Sequence, residues 1–451
     1  MNNPVAVVLC AGRGSRMKSG RPKVLHRVAG LEIVAHVLGT LETVGVEKIV
    51  LVVSEDNREA IEAIIPENVK TAVQSVVDGT ASATRVGLGA LDGDTEGVVL
   101  VTYCDVPLVQ GETYGRMLDA LEKTGDALVL LAFNTGNRKN EYGRLVLGED
   151  GRLGGIVEYR DASDSLRNSS LCNAGIYAVR GRKLLERLIG AVGNDNGAGE
   201  YYLTDIVEIA IRQNYPCSYV LVEEGEVQGI NSRKELAAAE RAFQDRMRGE
   251  FMARGVTLVD PASVFFSYDT VLGRDVTVEP NVIFARGVRV EEDVQIRAFS
   301  YLEGCEIESG STIGPFARLR PGTSVGRNAR IGNFCEIKGS TIGNGTKISH
   351  LSYIGDTEVG EDTNIGAGTI TCNYDGYSKF KTRIGKNSFI GSNSVIVAPV
   401  EIGENSLTAA GSVVTESAGS NSLIIARAEQ RVVAEGMLRY RAKRSGRPVD
   451  S

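Results

Sequence analysis

Apolar residues recur at every sixth position through most of the second half of the chain, and this period constrains the fold more than any other feature. An α-helix repeats every 3.6 residues, so it cannot keep a six-residue stripe on one face. A period of six is typical of a parallel β-helix, in which each flat face takes about one hexad and the inward residues stack. The predicted inward column consists of Val276, Val282, Val288, Val294, Ile313, Leu319, Val325, Ile331, Ile337, Ile342, Ile348, Ile354, Val359, Ile365, Ile384, Ile390, Ile396 and Ile402.

Two segments interrupt this repeat. Residues 371–383 (TCNYDGYSKFKTR) form an insertion, and the tail after about residue 415 ends in the basic sequence RYRAKRSGRP. Insertions in a solenoid form loops and frequently carry function. The insertion is therefore a candidate binding loop, whereas the tail fits contact with ligand phosphates and a solvated, disordered end equally well.

The first half of the chain has a different rhythm, in which short apolar runs alternate with amphipathic stretches. The pattern predicts strands at 4–9, 48–53, 98–105 and 127–133, and helices at 33–45, 81–93 and 113–125. Strands that alternate with helices predict a mostly parallel, Rossmann-like α/β sheet covered on both faces.

A long helix is predicted to connect the two halves. Residues 232–253 are rich in Ala, Glu, Arg and Leu, and Ser232 is the expected N-cap, with Glu235 at the capping-box position. The predicted domains are therefore 1–231 and 254–451, joined by the helix 232–253.

Composition excludes several classes of function. The chain has 50 basic and 57 acidic residues, a net charge of −7, which argues against nucleic acid as a partner. Its start lacks the basic and apolar regions of a signal peptide, and it has no run of 18 apolar residues, so we expect no membrane association. The seven cysteines are scattered without a CxxC pair, which favours reduced thiols and a cytoplasmic location.

A glycine-rich loop follows the first predicted strand and is the first candidate site. Residues 9–23 read LCAGRGSRMKSGRPK, with Gly12 and Gly14 two positions apart. Glycines let backbone N–H groups approach a polyphosphate, and Arg16 and Lys23 would supply charge where pyrophosphate leaves. The alternative for Arg16 and Lys23 is a solvated surface pair.

Asp105 ends another predicted strand, in the string YCDVPL. The carboxyl ends of parallel strands are where α/β sheets bind ligands, and Mg²⁺ takes only one or two carboxylates beside substrate phosphates. Asp105 is thus a candidate Mg²⁺ ligand; the alternative is a helix N-cap or a turn residue.

The opening loop and Asp105, together with GIVEYRDA, CNAGIY, GEYYLTD and VQGIN, resemble the motifs of sugar-nucleotide pyrophosphorylases. The resemblance is greatest to the bifunctional family that makes UDP-N-acetylglucosamine, and it implies an α/β nucleotidyltransferase domain followed by a left-handed parallel β-helix. In that family a sugar 1-phosphate attacks UTP and pyrophosphate leaves. The resemblance implies that Asp105 and Asn231 hold Mg²⁺, that Gly143, Glu158, Asn173 and Asn231 contact the sugar phosphate, and that the nucleotide meets Leu9, Ala11, Gly12, Lys23, Gln74, Gly79, Thr80, Tyr103 and Asp105.

The chain departs from the family pattern at the nucleotide site. The family's Q-x-x-Q-L-G-T-x-H-A has Val77, Asp78 and Ser82 here in place of Gln, Leu and His, although Gln74, Gly79 and Thr80 are present. An amide can pair with a base edge and Val cannot, so specificity for UTP is less secure than specificity for a nucleoside triphosphate. Ala174 also stands where the family usually has Thr.

His350 is the only histidine in the second half of the chain and begins the second candidate site. A lone histidine is more often structural than catalytic. Its surroundings, however, resemble the acetyltransferase half of the same bifunctional family, above all GAGTITCNYDG at 366–376 and NYDGYSKFKT at 373–382.

This second resemblance implies that His350 is the general base in acetyl transfer from acetyl-CoA to glucosamine 1-phosphate. It implies that Arg320, Lys338, Tyr353 and Asn364 hold that substrate, and that acetyl-CoA meets Ala367, Asn373, Tyr374, Lys379, Ser392, Ala410 and Arg427. It further implies a homotrimer, formed through the β-helix, with the acetyl site between subunits. Two alternatives remain: a nucleotidyltransferase whose β-helix is only an oligomerisation stalk, and a regulatory protein on the same fold.

Overall fold

The computed structural model describes residues 3–12, 14–93, 96–137 and 140–446. The chain forms two compact units that divide between Gly249 and Glu250. Within the described ranges, none of the helices combines the length and the apolar character that crossing a membrane requires.

The first unit is built from strands and helices in alternation. Its strands are β1 (Val5–Leu9), β2 (Arg27–Val28), β3 (Leu31–Glu32), β4 (Lys48–Val53), β5 (Lys70–Val73), β6 (Val98–Tyr103), β7 (Leu128–Asn134), β8 (Arg144–Leu147), β9 (Leu153–Val157), β10 (Leu171–Arg180) and β11 (Cys217–Val222). Its helices are α1 (Ile33–Thr43), α2 (Glu55–Glu62), α3 (Thr80–Ala90), α4 (Gly111–Thr124), α5 (Asp164–Arg167), α6 (Arg182–Gly190), α7 (Asp205–Arg212) and α8 (Arg233–Ala253), with 3-10 turns at Ser15–Met17, Lys23–Leu25 and Glu224–Glu226.

The main sheet of this unit has the strand order β11-β7-β10-β6-β1-β4-β5. The pairs β1–β4, β1–β6, β4–β5 and β7–β11 are parallel, which confirms the predicted α/β class. Strand β10, which the sequence pattern did not indicate, runs antiparallel to both β6 and β7. The strands are buried on both faces because successive side chains alternate between two apolar layers; Val8 and Leu51 lie in one and Val7 and Val52 in the other.

Helix α8 begins as the sequence indicates, with one difference. The Ser232 hydroxyl accepts a hydrogen bond from the backbone N–H of Glu235, at 3.3 Å, as an N-cap does. The Glu235 carboxylate reaches back to the N–H of Asn231, at 2.7 Å, rather than to that of Ser232. The division between the two units falls within α8; the bounds 1–231 and 254–451 stay predictions.

The second unit consists of short strands at nearly regular intervals. They are β12 (Thr257–Leu258), β13 (Phe265–Phe266), β14 (Val271–Leu272), β15 (Thr277–Val278), β16 (Ile283–Phe284), β17 (Arg289–Val290), β18 (Gln295–Ile296), β19 (Tyr301–Leu302), β20 (Cys305–Ile307), β21 (Thr312–Ile313), β22 (Arg318–Leu319), β23 (Thr323–Val325), β24 (Arg330–Asn333), β25 (Glu336–Lys338), β26 (Thr341–Ile342), β27 (Lys347–His350), β28 (Tyr353–Gly355), β29 (Thr357–Val359), β30 (Asn364–Ile365), β31 (Ile370–Cys372), β32 (Thr382–Ile384), β33 (Phe389–Ile390), β34 (Val395–Val397), β35 (Val400–Ile402), β36 (Leu407–Thr408), β37 (Val413–Val414) and β38 (Leu423–Ile424). A 3-10 turn lies at Pro261–Ser263, and α9 spans Gly436–Ser445.

Every third strand pairs in parallel, so the strands form three sheets that run the length of a left-handed parallel β-helix. Every residue of the predicted inward column is buried, which confirms the interpretation of the hexads. In the first coils, however, Val276, Val282, Val288 and Val294 lie two residues before the strand residues that stack with the rest of the column, which are Val278, Phe284, Val290 and Ile296. The insertion at 371–383 forms a loop between β31 and β32, as expected. The coil extends beyond the break expected near residue 415, because β38 pairs with β36.

A second buried position lies two residues before many of the column residues and is often Ser or Thr. The Ser311 hydroxyl donates to the carbonyl of Gly326, and the Thr346 hydroxyl to that of Gly360, both at 2.8 Å. The next coil satisfies these two hydroxyls, which offsets the cost of burying them.

One corner of the coil carries large apolar residues in a conformation that disfavours them. Phe299, Phe316, Phe334 and Leu351, here called the apolar ladder, have φ between 54° and 61°, whereas Asn or Asp fills most other corners with positive φ. Their exposed fractions are 54%, 45%, 55% and 62%. The Phe299 and Phe316 rings stack at 5.0 Å and the Phe316 and Phe334 rings at 5.1 Å.

We expect the inward column to dominate the stability of the second unit. Ile313→Ala removes a column side chain with no exposed surface, so it should lower the free energy of unfolding by about 2–5 kcal/mol. Ile283→Ala is the matched control, because Ile283 is 42% exposed on another strand of the β-helix. Chemical denaturation followed by circular dichroism measures both, and equal losses would contradict the assignment of the column.

Candidate functional sites

The first site lies at the carboxyl edge of the main sheet, where the loop after β1 meets the loop after β6. Leu9 and Ala11 are buried at the end of β1, and the carbonyl of Cys10 accepts a hydrogen bond from Asn57 Nδ2 at 2.8 Å. Gly14 has a φ of 60°, and a Cβ there would lie 2.7 Å from the Cβ of Lys23. Glycine at this position therefore allows Lys23 to enter the site.

The Lys23 ammonium group is buried between the two predicted metal ligands. Its Nζ lies 2.5 Å from Asp105 Oδ2 and 2.9 Å from Asn231 Oδ1. Burial favours the neutral amine, but the neighbouring Asp105 carboxylate outweighs it and raises the pKa of Lys23. In the structure Lys23 is hydrogen-bonded to Asp105 and Asn231, and its predicted place beside a leaving pyrophosphate stays a prediction.

A cavity of about 780 Å³ opens beside this group. The predicted residues that line it are Arg16, Thr80, Tyr103, Asp105, Gly143, Glu158, Asn173 and Asn231. Leu9, Ala11, Gly12, Lys23, Gln74 and Gly79 do not belong to its lining. The structure thus brings the predicted sugar and metal residues into the lining of one cavity, whereas most of the predicted nucleotide residues are not part of that lining.

The loop predicted to hold the base is fixed by the segment around Tyr201. Gln74 is buried and its Nε2 donates to the carbonyl of Gly79 at 3.2 Å. A Cβ on Gly79 would lie 2.3 Å from the carbonyl oxygen of Tyr201, so this approach requires glycine. The Thr80 hydroxyl accepts from the N–H of Leu203 at 2.9 Å. Val77, the departure from the family pattern, is exposed.

The predicted sugar contacts also line this cavity. Burial raises the pKa of Glu158, whose Oε1 accepts a hydrogen bond from the Thr204 hydroxyl at 3.0 Å. Asn173 donates from its backbone to the carbonyl of Gly143 at 2.8 Å and from Nδ2 to the Tyr177 hydroxyl at 2.8 Å. The sequence reasoning missed Tyr142 and Thr204 in this wall, although Thr204 belongs to the motif GEYYLTD.

The second site lies on the β-helix, where His350 ends β27. Its Nδ1 lies 2.6 Å from Oδ1 of Asn333, which ends the paired strand β24. An amide oxygen only accepts hydrogen bonds, so Nδ1 is the donor in this contact, and in the neutral ring Nε2 is the nitrogen with the lone pair. His350 is exposed, and Nε2 is therefore oriented as a base.

The cations predicted to hold the sugar phosphate are each paired with a carboxylate. Lys338 Nζ lies 2.9 and 3.1 Å from the two oxygens of Asp356, and this hydrogen bonding raises the pKa of Lys338. Arg320 Nη1 lies 2.9 Å from Glu336 Oε1. Burial would raise the pKa of Asp356, but its hydrogen bonds to Lys338 and Asn373 prevail and lower it.

Tyr353 and the inserted loop complete this group. The Tyr353 hydroxyl donates to Oδ1 of Asn373 at 3.4 Å, and Asn373 Nδ2 in turn donates to Asp356. Tyr374 is exposed, and it pairs with Lys379 across the loop.

The residues predicted to line the coenzyme A groove continue the row that His350 begins. Backbone hydrogen bonds link each residue of the row to the next coil. The N–H of Gly368, which follows Ala367, donates to the carbonyl of His350 at 3.2 Å. In the same way the N–H of Asn393 donates to Ala367 at 2.7 Å, and that of Gly411 to Ser392 at 2.8 Å. The His350 row is thus Asn333, His350, Ala367, Ser392 and Ala410, on successive coils. Arg427 joins its end, since Nη1 donates to the carbonyl of Ala410 at 2.9 Å. Asn364 lies on β30, which pairs with the strand of His350.

Three residues of this site were missed from the sequence: Asn333, Glu336 and Asp356. Each lies about one coil from a residue that was predicted: Asn333 precedes His350 by one coil and Asp356 follows Lys338 by one coil. Stepping one coil along the sequence from each candidate would have found Asn333 and Asp356.

Comparison with known proteins agrees with this architecture. A family model described as a MobA-like NTP transferase domain matches residues 6–200. A second, described as a bacterial transferase hexapeptide of six repeats, matches residues 304–339 and 381–416.

Curated relatives cover nearly the whole chain and carry the name bifunctional protein GlmU. One from Sphingopyxis alaskensis is 48% identical over 96% of this chain and 95% of its own length. One from Paramagnetospirillum magneticum is 45% identical over 98% of this chain and 97% of its own length. One from Paracoccus denitrificans is 46% identical over 96% of this chain and 96% of its own length. The chain therefore belongs to the family of bifunctional GlmU proteins, which combine a nucleotidyltransferase with a hexapeptide-repeat acetyltransferase.

Proposed function

We propose that this bifunctional enzyme makes UDP-N-acetylglucosamine in two steps. The second unit transfers an acetyl group from acetyl-CoA to glucosamine 1-phosphate, and the first unit transfers UMP from UTP to the product and releases pyrophosphate. The observation that carries the proposal is the pairing of His350 with Asn333, because it orients a base where a mere oligomerisation stalk would need none. We also propose a cytoplasmic location, which the seven free thiols support.

In acetyl transfer, the amine nitrogen of glucosamine 1-phosphate forms a bond to the thioester carbonyl carbon, and His350 Nε2 accepts a proton from that amine. The carbon–sulfur bond then breaks, and the imidazolium returns its proton to the coenzyme A thiolate. Asn333 holds the ring through Nδ1 throughout these steps. Ala367, Ser392 and Ala410 extend from His350 along one row, which suits an extended cofactor such as coenzyme A.

Lys338 and Arg320 are proposed to bind the phosphate of glucosamine 1-phosphate. Each is partly buried and held by one carboxylate, Asp356 or Glu336. This pairing fixes the cations before substrate arrives, so less side-chain entropy is lost on binding. Tyr353 and Asn373 lie beside Lys338, where they would contact the sugar.

In the first unit, Asp105 and Asn231 are proposed to hold Mg²⁺. Their oxygens converge on one cationic group, the Lys23 ammonium, which shows that both can face a single cation. Mg²⁺ commonly takes only one or two protein carboxylates and completes its shell with substrate phosphates and water, so two protein oxygens would suffice. Mg²⁺ would neutralise charge on the triphosphate; Arg16, exposed at the cavity, and Lys23 would position the phosphates.

UTP is the proposed nucleotide despite the departure at Val77. Gln74 Nε2 is engaged by the Gly79 carbonyl, which leaves Oε1 as the acceptor for a base. Uracil offers a donor at N3, whereas cytosine offers an acceptor there. Gln74 alone would then distinguish the two bases, since the side chain of Val77 is apolar.

The apolar ladder supports the proposal of a homotrimer. Phe299, Phe316 and Phe334 have both strained backbone and exposed rings, a combination that is unfavourable unless a partner covers them. Phe334 and Leu351 directly follow Asn333 and His350 in the sequence. A second copy packed on the ladder would therefore close the exposed side of the acetyl site.

We expect substitutions at the two sites to separate the two activities. His350→Ala should lower kcat for acetyl transfer by about 10²–10⁴-fold, since it removes the base, and leave pyrophosphate release from UTP and N-acetylglucosamine 1-phosphate unchanged. Asp105→Ala should do the reverse, with a loss of roughly 10²-fold or more in uridylyl transfer. Release of free coenzyme A and of pyrophosphate, followed separately, measures both.

Wild-type protein supplied with acetyl-CoA, glucosamine 1-phosphate, UTP and Mg²⁺ is the reference for these variants. It should release coenzyme A first and pyrophosphate only after acetylation. Loss of both activities in either folded variant would refute the two-site proposal, and coenzyme A release without pyrophosphate would refute UTP as the nucleotide.

We expect the apolar ladder to hold the assembly together. Phe316→Asp places a charge in the middle of the ladder, so the mass measured by light scattering should fall from three chains to one. Acetyl transfer should fall with it, while uridylyl transfer persists. Phe265→Asp is the control, because Phe265 is similarly exposed, at 46%, but lies outside the ladder. An unchanged mass for Phe316→Asp would contradict this role.

A further inference from the structure

Arg144 is a fully buried arginine beside the cavity of the first unit, and no role follows for it from the sequence motifs. It begins β8, and its side chain has no exposed surface. Burying a guanidinium group is costly unless its donors are satisfied. The contacts of the guanidinium group therefore indicate the structural role of this buried charge.

The guanidinium group binds main-chain and side-chain oxygens on two segments. Nη1 donates to Asn140 Oδ1 at 2.9 Å and to the carbonyl of Tyr142. Nη2 donates to the carbonyls of Asn140 and Arg167, both at 3.3 Å. The guanidinium carbon also lies 5.2 Å from the centre of the Tyr159 ring. Arg144 thus ties residues 140–142 to the segment 159–167.

Both segments lead directly into the wall of the cavity. Asn140, Tyr142 and Gly143 line it from one side, and Glu158, next to Tyr159, lines it from another. The carbonyl of Gly143 accepts a hydrogen bond from the N–H of Asn173. A displacement of the 140–142 segment would therefore move Gly143 and change its distance from Glu158 and Asn173.

We propose that Arg144 is a positioning residue for the sugar-phosphate subsite of uridylyl transfer. In this role Arg144 acts through the residues that line the sugar subsite, whose spacing it fixes, and not through contact with substrate. The proposal rests on the proposed function of this unit. A planar fork with five donors can bind several oxygens on two segments at once, whereas the single ammonium group of lysine cannot keep the same set of bonds.

The test is steady-state kinetics of Arg144→Lys with N-acetylglucosamine 1-phosphate and UTP varied separately. KM for the sugar phosphate should rise roughly tenfold or more, because its subsite is no longer fixed. KM for UTP should stay within about twofold, and acetyl transfer by the other unit should be unchanged. Arg144→Met, which also removes the charge, should raise KM for the sugar phosphate further.

Arg167→Lys is the matched control. Arg167 lies 5.3 Å from the same Tyr159 ring and donates to the carbonyls of Tyr159 and Arg160, but its side chain is 37% exposed. In the Arg167→Lys variant, KM for the sugar phosphate should change less than about twofold. A similar change in both lysine variants would mean that general packing, rather than the bonds of Arg144, sets the subsite.

Other outcomes would also overturn the proposal. An unchanged KM for the sugar phosphate in Arg144→Lys, or an equal rise for both substrates, would refute a specific positioning role. An unfolded first unit in both Arg144 variants, seen as loss of its thermal transition with acetyl transfer retained, would assign the residue to stability alone. Absence of pyrophosphate release from the wild-type protein would instead refute the proposed function itself.

Discussion

The parallel backbone hydrogen bonds between successive coils are the interaction on which the second unit depends. Each strand of the three sheets is held by the strand one coil before and the strand one coil after it, so the position of any side chain is set by its neighbours in the stack. The inward column makes this stacking favourable, and the buried Ser and Thr hydroxyls bind the next coil. The site around His350 is built by the same bonds, because its row follows one corner of the coil.

The first unit positions its site in another way. Parallel strands end at one edge of a sheet, so Leu9 and Tyr103 bring separate loops of the chain together there. Charge then organises the interior: Asp105 and Asn231 share the Lys23 ammonium group, and Arg144 joins two segments of the cavity wall. Both units therefore hold buried or partly buried cations with fixed polar partners, but one relies on loops and the other on a repeating backbone.

Much of this arrangement could be predicted from the sequence, and the exceptions have physical reasons. A period of six admits few folds, which is why the inward column was predicted from Ile313 onward. In the first coils the same spacing also fitted Val276 and Val294, which lie two residues before the inward strand residues Val278 and Ile296. The antiparallel direction of β10 depends on tertiary pairing, which a run of apolar residues does not encode. The burial of Val276 could be predicted because the side chain is apolar. The burial of Ser311 could not, because its hydroxyl is satisfied only by a coil distant in sequence. The partners of Lys23 and His350, Asp105 and Asn333, likewise come together only through the fold.

The bond between Asn333 and His350 joins two neighbouring coils, and so does that between Lys338 and Asp356. The geometry of such a site does not depend on the number of coils before it, because only the register between adjacent coils sets the distances between its atoms. Whole coils can be gained or lost ahead of Asn333 without disturbing these atoms. One residue inserted within β27, before His350, would shift the imidazole out of its row. Loops between strands can also lengthen, as the one between β31 and β32 has, while the strands on either side stay paired. What must be preserved in this part of the molecule is therefore the register between adjacent coils, rather than its length.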